Sequence, residues 1–210
     1  MASLGILGGT FNPPHIGHLV CAQEARHQLG LESVVLMPVS MPPHKEAADD
    51  PGPEVRADLC RAAVAGEPGF EVSTLEIERG GPSYTVDTLR ALHELREGDD
   101  LTFIVGGDMA SSLPSWREPE AVLELARVAV AERDGLRRRE IADMIAPLSG
   151  AAKRVVFFTM PRLDISSSDV RRRVAAGRPV RWLVPDGVVD EIERRGLYVP
   201  PTPAVGKAVA

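Results

Sequence analysis

Six short apolar, β-compatible runs alternate with seven segments of helical periodicity along 210 residues, and this alternation predicts an α/β fold. Right-handed crossovers turn such a chain into a doubly wound, Rossmann-like parallel sheet with helices on both faces. The length suits a single domain with a proper core, and no internal repeat or interdomain linker divides it. The domain is expected over 1–199. The Pro- and Ala-rich stretch "PPTPAVGKAVA" at 200–210 is expected to be a flexible C-terminal tail.

The elements follow in order. The first strand, 3–8, carries the apolar run "LGIL" and ends in two glycines. A helix over 17–29 comes next, because Leu19, Val20, Ala22, Gln23, Ala25 and Leu29 recur at helical spacing. Strand 33–38 leads into a long loop rich in Pro and Asp, 40–53, and then a helix over 53–65. Strand 70–75, helix 85–96 and strand 101–106 follow. Beyond them lie helix 117–125, strand 127–131, a charged connection over 132–140 and helix 136–146. Strand 154–159 and helices 168–176 and 187–195 complete the domain. Ligands of doubly wound sheets bind beyond the carboxyl ends of the strands. The loops after strands one, two and four therefore fall on the binding edge, and all three carry polar or glycine motifs.

Composition narrows the function. The 44% hydrophobic content is ordinary for a globular protein, which excludes disorder. No apolar run approaches the roughly 18 residues needed to span a bilayer. The N-terminus lacks a basic stretch followed by an apolar one, so no export signal is expected. Cys21 and Cys60 belong to no motif and read as reduced, buried thiols, which fits a cytoplasmic protein. A net charge of −6 argues against a nucleic-acid binder. Arg162, Arg171, Arg172, Arg173, Arg178 and Arg181 nevertheless cluster closely enough to keep a local anion site open. A homo-oligomer is neither indicated nor excluded.

The most informative stretch joins the first strand to the first helix: "GGTFNPPHIGHL", residues 8–19. Gly8 and Gly9 allow close approach of backbone to ligand, and Thr10 offers a hydroxyl. His15 and His18 are three apart at a helix start and so share a face. Gly17 between them leaves room for a bulky anion, to which free helix N–H groups add positive potential. His15, His18 and Cys21 recur at a spacing of three, but residues six apart diverge around a helix and no nearby pair supplies further ligands. No protein-held metal is expected. Far along the chain, "ISSSDVR" at 165–171 sets Ser166, Ser167 and Ser168 at a helix start as caps and donors. Arg171 is expected in the first turn, where a cation opposes the helix dipole and is best understood if it meets an anion.

These two stretches resemble the (T/H)xGH and ISSTxxR-like signatures of the nucleotidyltransferase superfamily. Four further stretches extend the resemblance over nearly the whole chain, to one branch, bacterial nicotinate-mononucleotide adenylyltransferase. They are "MPPHK" (41–45), "GGPSYTVDTL" (80–89), "GGDMASSLPSW" (106–116) and "VPDGVVDEIERRGLY" (184–198). The chain departs from the pattern at Asn12, where the superfamily often has Asp, so position 12 carries no catalytic carboxylate.

The resemblance implies transfer of an adenylyl group from ATP to nicotinate mononucleotide, giving deamido-NAD and pyrophosphate in NAD biosynthesis. It assigns His15, His18, Thr10 and Arg171 to the catalytic phosphates. Gly8, Gly9, Gly106, Asp108, Ser166, Ser167 and Ser168 would bind the rest of ATP. His44, Lys45, Ser83, Tyr84, Thr85 and Trp116 would hold the acceptor. Residue chemistry agrees with parts of this. Ser83 and Thr85 at a helix start can cap it or leave N–H groups for a carboxylate. Trp116 can stack on a pyridine ring, and Asp108 after two glycines can accept from ribose hydroxyls. A phosphate monoester has its second pKa near about 6, so the attacking phosphate is already ionised and no general base is needed. Mg²⁺ is expected to arrive with ATP. Alternatives are a nicotinamide-mononucleotide or phosphopantetheine adenylyltransferase, and, from another class, a non-catalytic nucleotide-binding module. An aminoacyl-tRNA synthetase fragment is a weaker one, since the chain is short, acidic and without a tRNA-binding extension.

Overall fold

A computed structural model describes residues 2–41, 49–132 and 137–200. Six strands form one sheet: β1 (Ser3–Gly9), β2 (Ser33–Pro38), β3 (Phe70–Val72), β4 (Asp100–Gly106), β5 (Arg127–Glu132) and β6 (Val155–Thr159). Every pairing is parallel and the order is β3-β2-β1-β4-β5-β6. The order reverses between β1 and β4, which is where a doubly wound sheet opens a crevice for ligands.

Alternation along each strand builds a core on either face. Leu4 and Ile6 of β1, Val35 and Met37 of β2, and Phe103 and Val105 of β4 pack on one side. Helices α4 (Thr85–Leu95) and α6 (Pro119–Leu125) cover that side through Val86, Leu89, Val122 and Leu123. Leu7, Val34, Leu36, Ile104 and Ala129 face the other way. There α1 (Ile16–Leu29) and α2 (Pro53–Ala63) present Cys21, Ala22, Ala25 and Cys60. Both cysteines are buried and neither is in a disulfide, and burial drives the Cys60 thiol pKa far up. A third cluster joins Leu59 and Ala63 of α2 to Val170 of α9 (Ser167–Ala175) and to Val188 and Ile192 of α10 (Asp186–Arg195). Gly187 is needed for that contact, since a Cβ there would stand 2.8 Å from the Ala62 carbonyl oxygen.

The expected strand over 70–75 is the main correction to the element boundaries. It ends at Val72, and α3 (Leu75–Arg79) begins three residues later, closed by Gly80 at φ 69°. A five-residue helix is too short to impose a period on the sequence. The same holds for α5 (Gly107–Ser111), a 3₁₀ turn at Leu113–Ser115 and α8 (Ala151–Arg154), none of which periodicity indicates. Helix α6 starts at Pro119 rather than 117, with the proline at its first position. Helix α7 (Arg137–Ile145) matches its expected span closely. Among the described residues no helix is long and apolar enough to cross a membrane. The tail 201–210 lies outside the described residues.

Candidate active site

The β1–α1 junction is organised around two stacked imidazoles. His15 is extended at φ −140° and caps the start of α1. Its backbone N–H donates to Nδ1 of His18 at 3.1 Å. A nitrogen that accepts carries no proton, so the His18 hydrogen resides on Nε2 and leaves an N–H donor at the far end of the ring. The two rings lie 3.7 Å apart between centroids at 29°, and Phe11 closes edge-on against His18 at 5.0 Å. A Cβ on Gly17 would stand 3.1 Å from the His15 ring. The room that the sequence reading reserved for an anion thus admits an imidazole.

The second signature is fastened to this loop. Ser166 caps α9 by accepting from the Asp169 N–H at 3.1 Å. The Ser167 hydroxyl donates to the Pro13 carbonyl at 2.8 Å, and Arg171 donates through Nη1 to the Asn12 carbonyl at 2.7 Å. Because α9 starts at Ser167, Arg171 falls in the second turn rather than the first, and it is mostly buried. Asn12 is itself a brace. Its amide oxygen accepts from the Tyr198 hydroxyl at 2.7 Å, while Nδ2 donates to the Asp49 carbonyl at 3.3 Å. A carboxylate could accept but not donate, so an amide fits this position.

Arg56 ties the loops together from beneath. It is fully buried, yet every nitrogen has a partner. Nε meets Asp50 at 3.0 Å, Nη1 meets the carbonyls of Thr10 at 2.9 Å and Val39 at 2.8 Å, and Nη2 meets that of Ser40 at 3.0 Å. One guanidinium therefore clamps the loop after β1 to the loop after β2.

The start of α4 forms the opposite wall of the crevice. The Ser83 hydroxyl accepts from the Ser40 N–H at 3.1 Å and no side chain caps α4, which removes the capping role expected of Ser83 or Thr85. The first-turn N–H groups of an eleven-residue helix thereby stay free of a side-chain cap. Trp116 is half-buried, with Nε1 donating to Ser112 at 3.0 Å and its ring perpendicular to Phe103 at 6.0 Å. Arg117 lies over the Tyr84 ring at 4.9 Å and reaches Asp87 at 3.3 Å. Behind them Glu76 is buried, accepting the Thr88 hydroxyl at 2.6 Å. Burial raises the Glu76 pKa, opposed first by the hydrogen bond from Thr88 and then by the nearby Ser83 hydroxyl and the Arg79 charge.

A single cavity of about 940 Å³ runs between the two walls, at the upper end of the size expected for a small-molecule site. Gly8, Gly9, Thr10, His15, His18, Gly106, Ser166 and Ser167 line it, together with Ser83, Tyr84, Thr85 and Trp116. Three expected residues are outside this lining. Asp108 is exposed in the first turn of α5, Ser168 is exposed on α9, and Arg171 is turned to the Asn12 carbonyl. His44 and Lys45 lie outside the described residues. Among the described residues no three His, Cys, Asp or Glu side chains converge as a metal site, the trio His15, His18 and Cys21 included.

Residues 6–173 match the family described as cytidylyltransferase-like. A protein of Roseiflexus sp. (strain RS-1), named probable nicotinate-nucleotide adenylyltransferase, is 46% identical over 94% of this chain and 98% of its own. A protein of the same name from Desulfitobacterium hafniense (strain Y51) is 43% identical over 93% and 95%. The chain belongs to the nicotinate-nucleotide adenylyltransferase family. The fold agrees with that membership. Nicotinic acid mononucleotide adenylyltransferase of Plasmodium falciparum, solved with NaAD, superposes with a TM-score of 0.74 at 17% identity, over 94% of this chain and 98% of that one. The same enzyme solved with APC gives 0.71 at 16%, over the same shares.

In this adenylyltransferase no local sequence pattern singles out Arg56, Glu76 or Tyr198. Arg56 and Glu76 are charged residues in helices, a pattern that reads as a solvated face until the partners are known. Tyr198 acts on Asn12 from 186 residues away, beyond the reach of any local pattern.

Proposed function

We propose that the chain transfers the adenylyl group of ATP to nicotinate mononucleotide, forming deamido-NAD and pyrophosphate in NAD biosynthesis. The observation that carries this reading is the single cavity bounded by the two stacked histidines at one wall and the uncapped start of α4 with Trp116 at the other. One wall suits phosphates; the other suits an aromatic ring bearing an anion.

The acceptor's 5′-phosphate oxygen attacks the α-phosphorus of ATP, and the bond from that phosphorus to the bridging oxygen breaks as pyrophosphate leaves. The nucleophile is ionised at neutral pH, so positioning and charge neutralisation account for the rate. The His18 Nε2–H donates to the α-phosphate with His15 stacked behind it, and Thr10 takes a further phosphate oxygen. Ser166 and Ser167 hold the β- and γ-phosphates. Arg171 serves this end through Asn12, by fixing the carbonyl that shapes the loop, and turns to the phosphates when ATP displaces that bond. Asp108 and Ser168 contribute from the rim, and Gly106 leaves open space for the nucleoside. Magnesium enters as part of the ATP substrate. The α4 N–H groups receive the nicotinate carboxylate while Trp116 packs on the ring, and His44 and Lys45 are further acceptor-binding residues.

Labelled ATP tests the bond assignment. Label at the α-phosphorus should appear in the dinucleotide and label at the γ-phosphorus in pyrophosphate. Appearance of α-label in AMP, or of γ-label in orthophosphate, contradicts the reading.

A further inference from the structure

We propose that Glu76 sets the selectivity between acid and amide acceptors: uncharged, it admits a ring carrying a carboxylate, and ionised, it favours the matching carboxamide. The inference rests on the reading that the acceptor ring binds between Thr85 and Trp116.

Glu76 contributes to the cavity wall beside Ser83, Thr85 and Trp116, yet it is only 5% exposed. Its two oxygens are unequal. Oε1 lies 2.6 Å from the Thr88 hydroxyl, whereas Oε2 is buried without a hydrogen bond. A buried carboxylate oxygen lacking a donor is rare and calls for a proton of its own or a donor brought by a ligand. Among the described residues no ion pair neutralises it. Arg79 on the same helix directs Nη2 to Thr88 at 3.1 Å, and Arg117, which also lines the cavity, is engaged by Asp87 and Tyr84. The other titratable groups on the wall are His15, His18, Cys21 and Tyr84.

The two charge states present opposite chemistry. A carboxylic acid offers an O–H to an incoming carboxylate. A carboxylate repels that anion in a poorly screened site but accepts from an amide NH₂. Thr88 carries the change onward. Its single hydroxyl hydrogen is held by ionised Glu76, and is released toward the Tyr84 carbonyl, 3.2 Å away, when Glu76 takes a proton.

The test is the ratio of kcat/KM for nicotinate mononucleotide to that for nicotinamide mononucleotide, followed between about pH 5 and pH 9 in wild type and Glu76→Gln. Both acceptors share the 5′-phosphate and the ATP partner, so effects of pH on the phosphate half of the site are common to both and cancel in the ratio. The wild-type ratio should fall about tenfold or more as pH rises through the Glu76 titration. In Glu76→Gln it should stay flat near the low-pH wild-type value. Thr88→Val provides a second variant. It removes a donor to the ionised form, so the fall should move to higher pH. A wild-type ratio independent of pH, or a Glu76→Gln ratio that tracks wild type, overturns the inference while leaving the functional reading intact. Turnover of neither acceptor by wild type overturns the functional reading, and this inference with it.

Discussion

Replacing Arg56 with methionine keeps an unbranched apolar stem and removes the guanidinium with its charge. Four contacts disappear, one to the Asp50 carboxylate and three to the carbonyls of Thr10, Val39 and Ser40. Hydrogen bonds to a charged group contribute about 1.5–3 kcal/mol each, and their simple sum of about 6–12 kcal/mol overstates the loss because the loops relax and the carbonyls rehydrate. Breaking a buried charged pair from one side costs about 3–5 kcal/mol, which is the expected destabilisation here. For a domain of this size, each kcal/mol lowers Tm by about 2–4 °C, so a fall of about 6–20 °C should follow. Urea unfolding should show a lower midpoint with an unchanged slope, and calorimetry should show weakened ATP binding, since the Thr10 loop loses its anchor. A loss below about 1 kcal/mol with ATP affinity intact would refute the assignment of Arg56 as the clamp between the two loops.

Three further outcomes are expected. His18→Ala removes a preorganised donor and should lower kcat/KM by about 10²–10³ with folding preserved, measured as pyrophosphate release; unchanged turnover takes His18 out of the mechanism. Trp116→Ala should raise the acceptor KM about 5- to 150-fold, the equivalent of about 1–3 kcal/mol of stacking, while the ATP KM stays fixed. Glu76 has a raised pKa in the folded protein, so the native state holds a proton that the unfolded chain has already released. Relative to Glu76→Gln, wild type should therefore lose stability as pH rises from the ordinary carboxylate value of 4.5 through the folded value, and parallel urea titrations that stay level would contradict this.

Much of the architecture was legible because its signals are local. Each strand carries its own apolar alternation, and each long helix its own period, so β1, β2, β4, β5 and β6 lie close to their expected spans. Helices α3, α5 and α8 were not legible, because at four or five residues they are specified by the loops that frame them. The stacking of His15 on His18 follows from a spacing of three at a helix start. The service of Ser83 to Ser40 instead of to α4 does not, since it depends on two loops from different strands meeting. Asn12 shows the same limit. Sequence indicated only that a carboxylate was missing, whereas two partners of the side chain remote in sequence, the Asp49 carbonyl and the Tyr198 hydroxyl, explain why an amide belongs there.

The central claim is tested most directly by magnesium-dependent pyrophosphate release from ATP with nicotinate mononucleotide, nicotinamide mononucleotide and phosphopantetheine compared side by side. Near neutral pH, release with the first and far less with the other two is the expected result. Preference for either of the others would contradict the carboxylate-binding wall at Thr85 and Trp116, and release with none, despite measurable ATP binding, would contradict the activity itself.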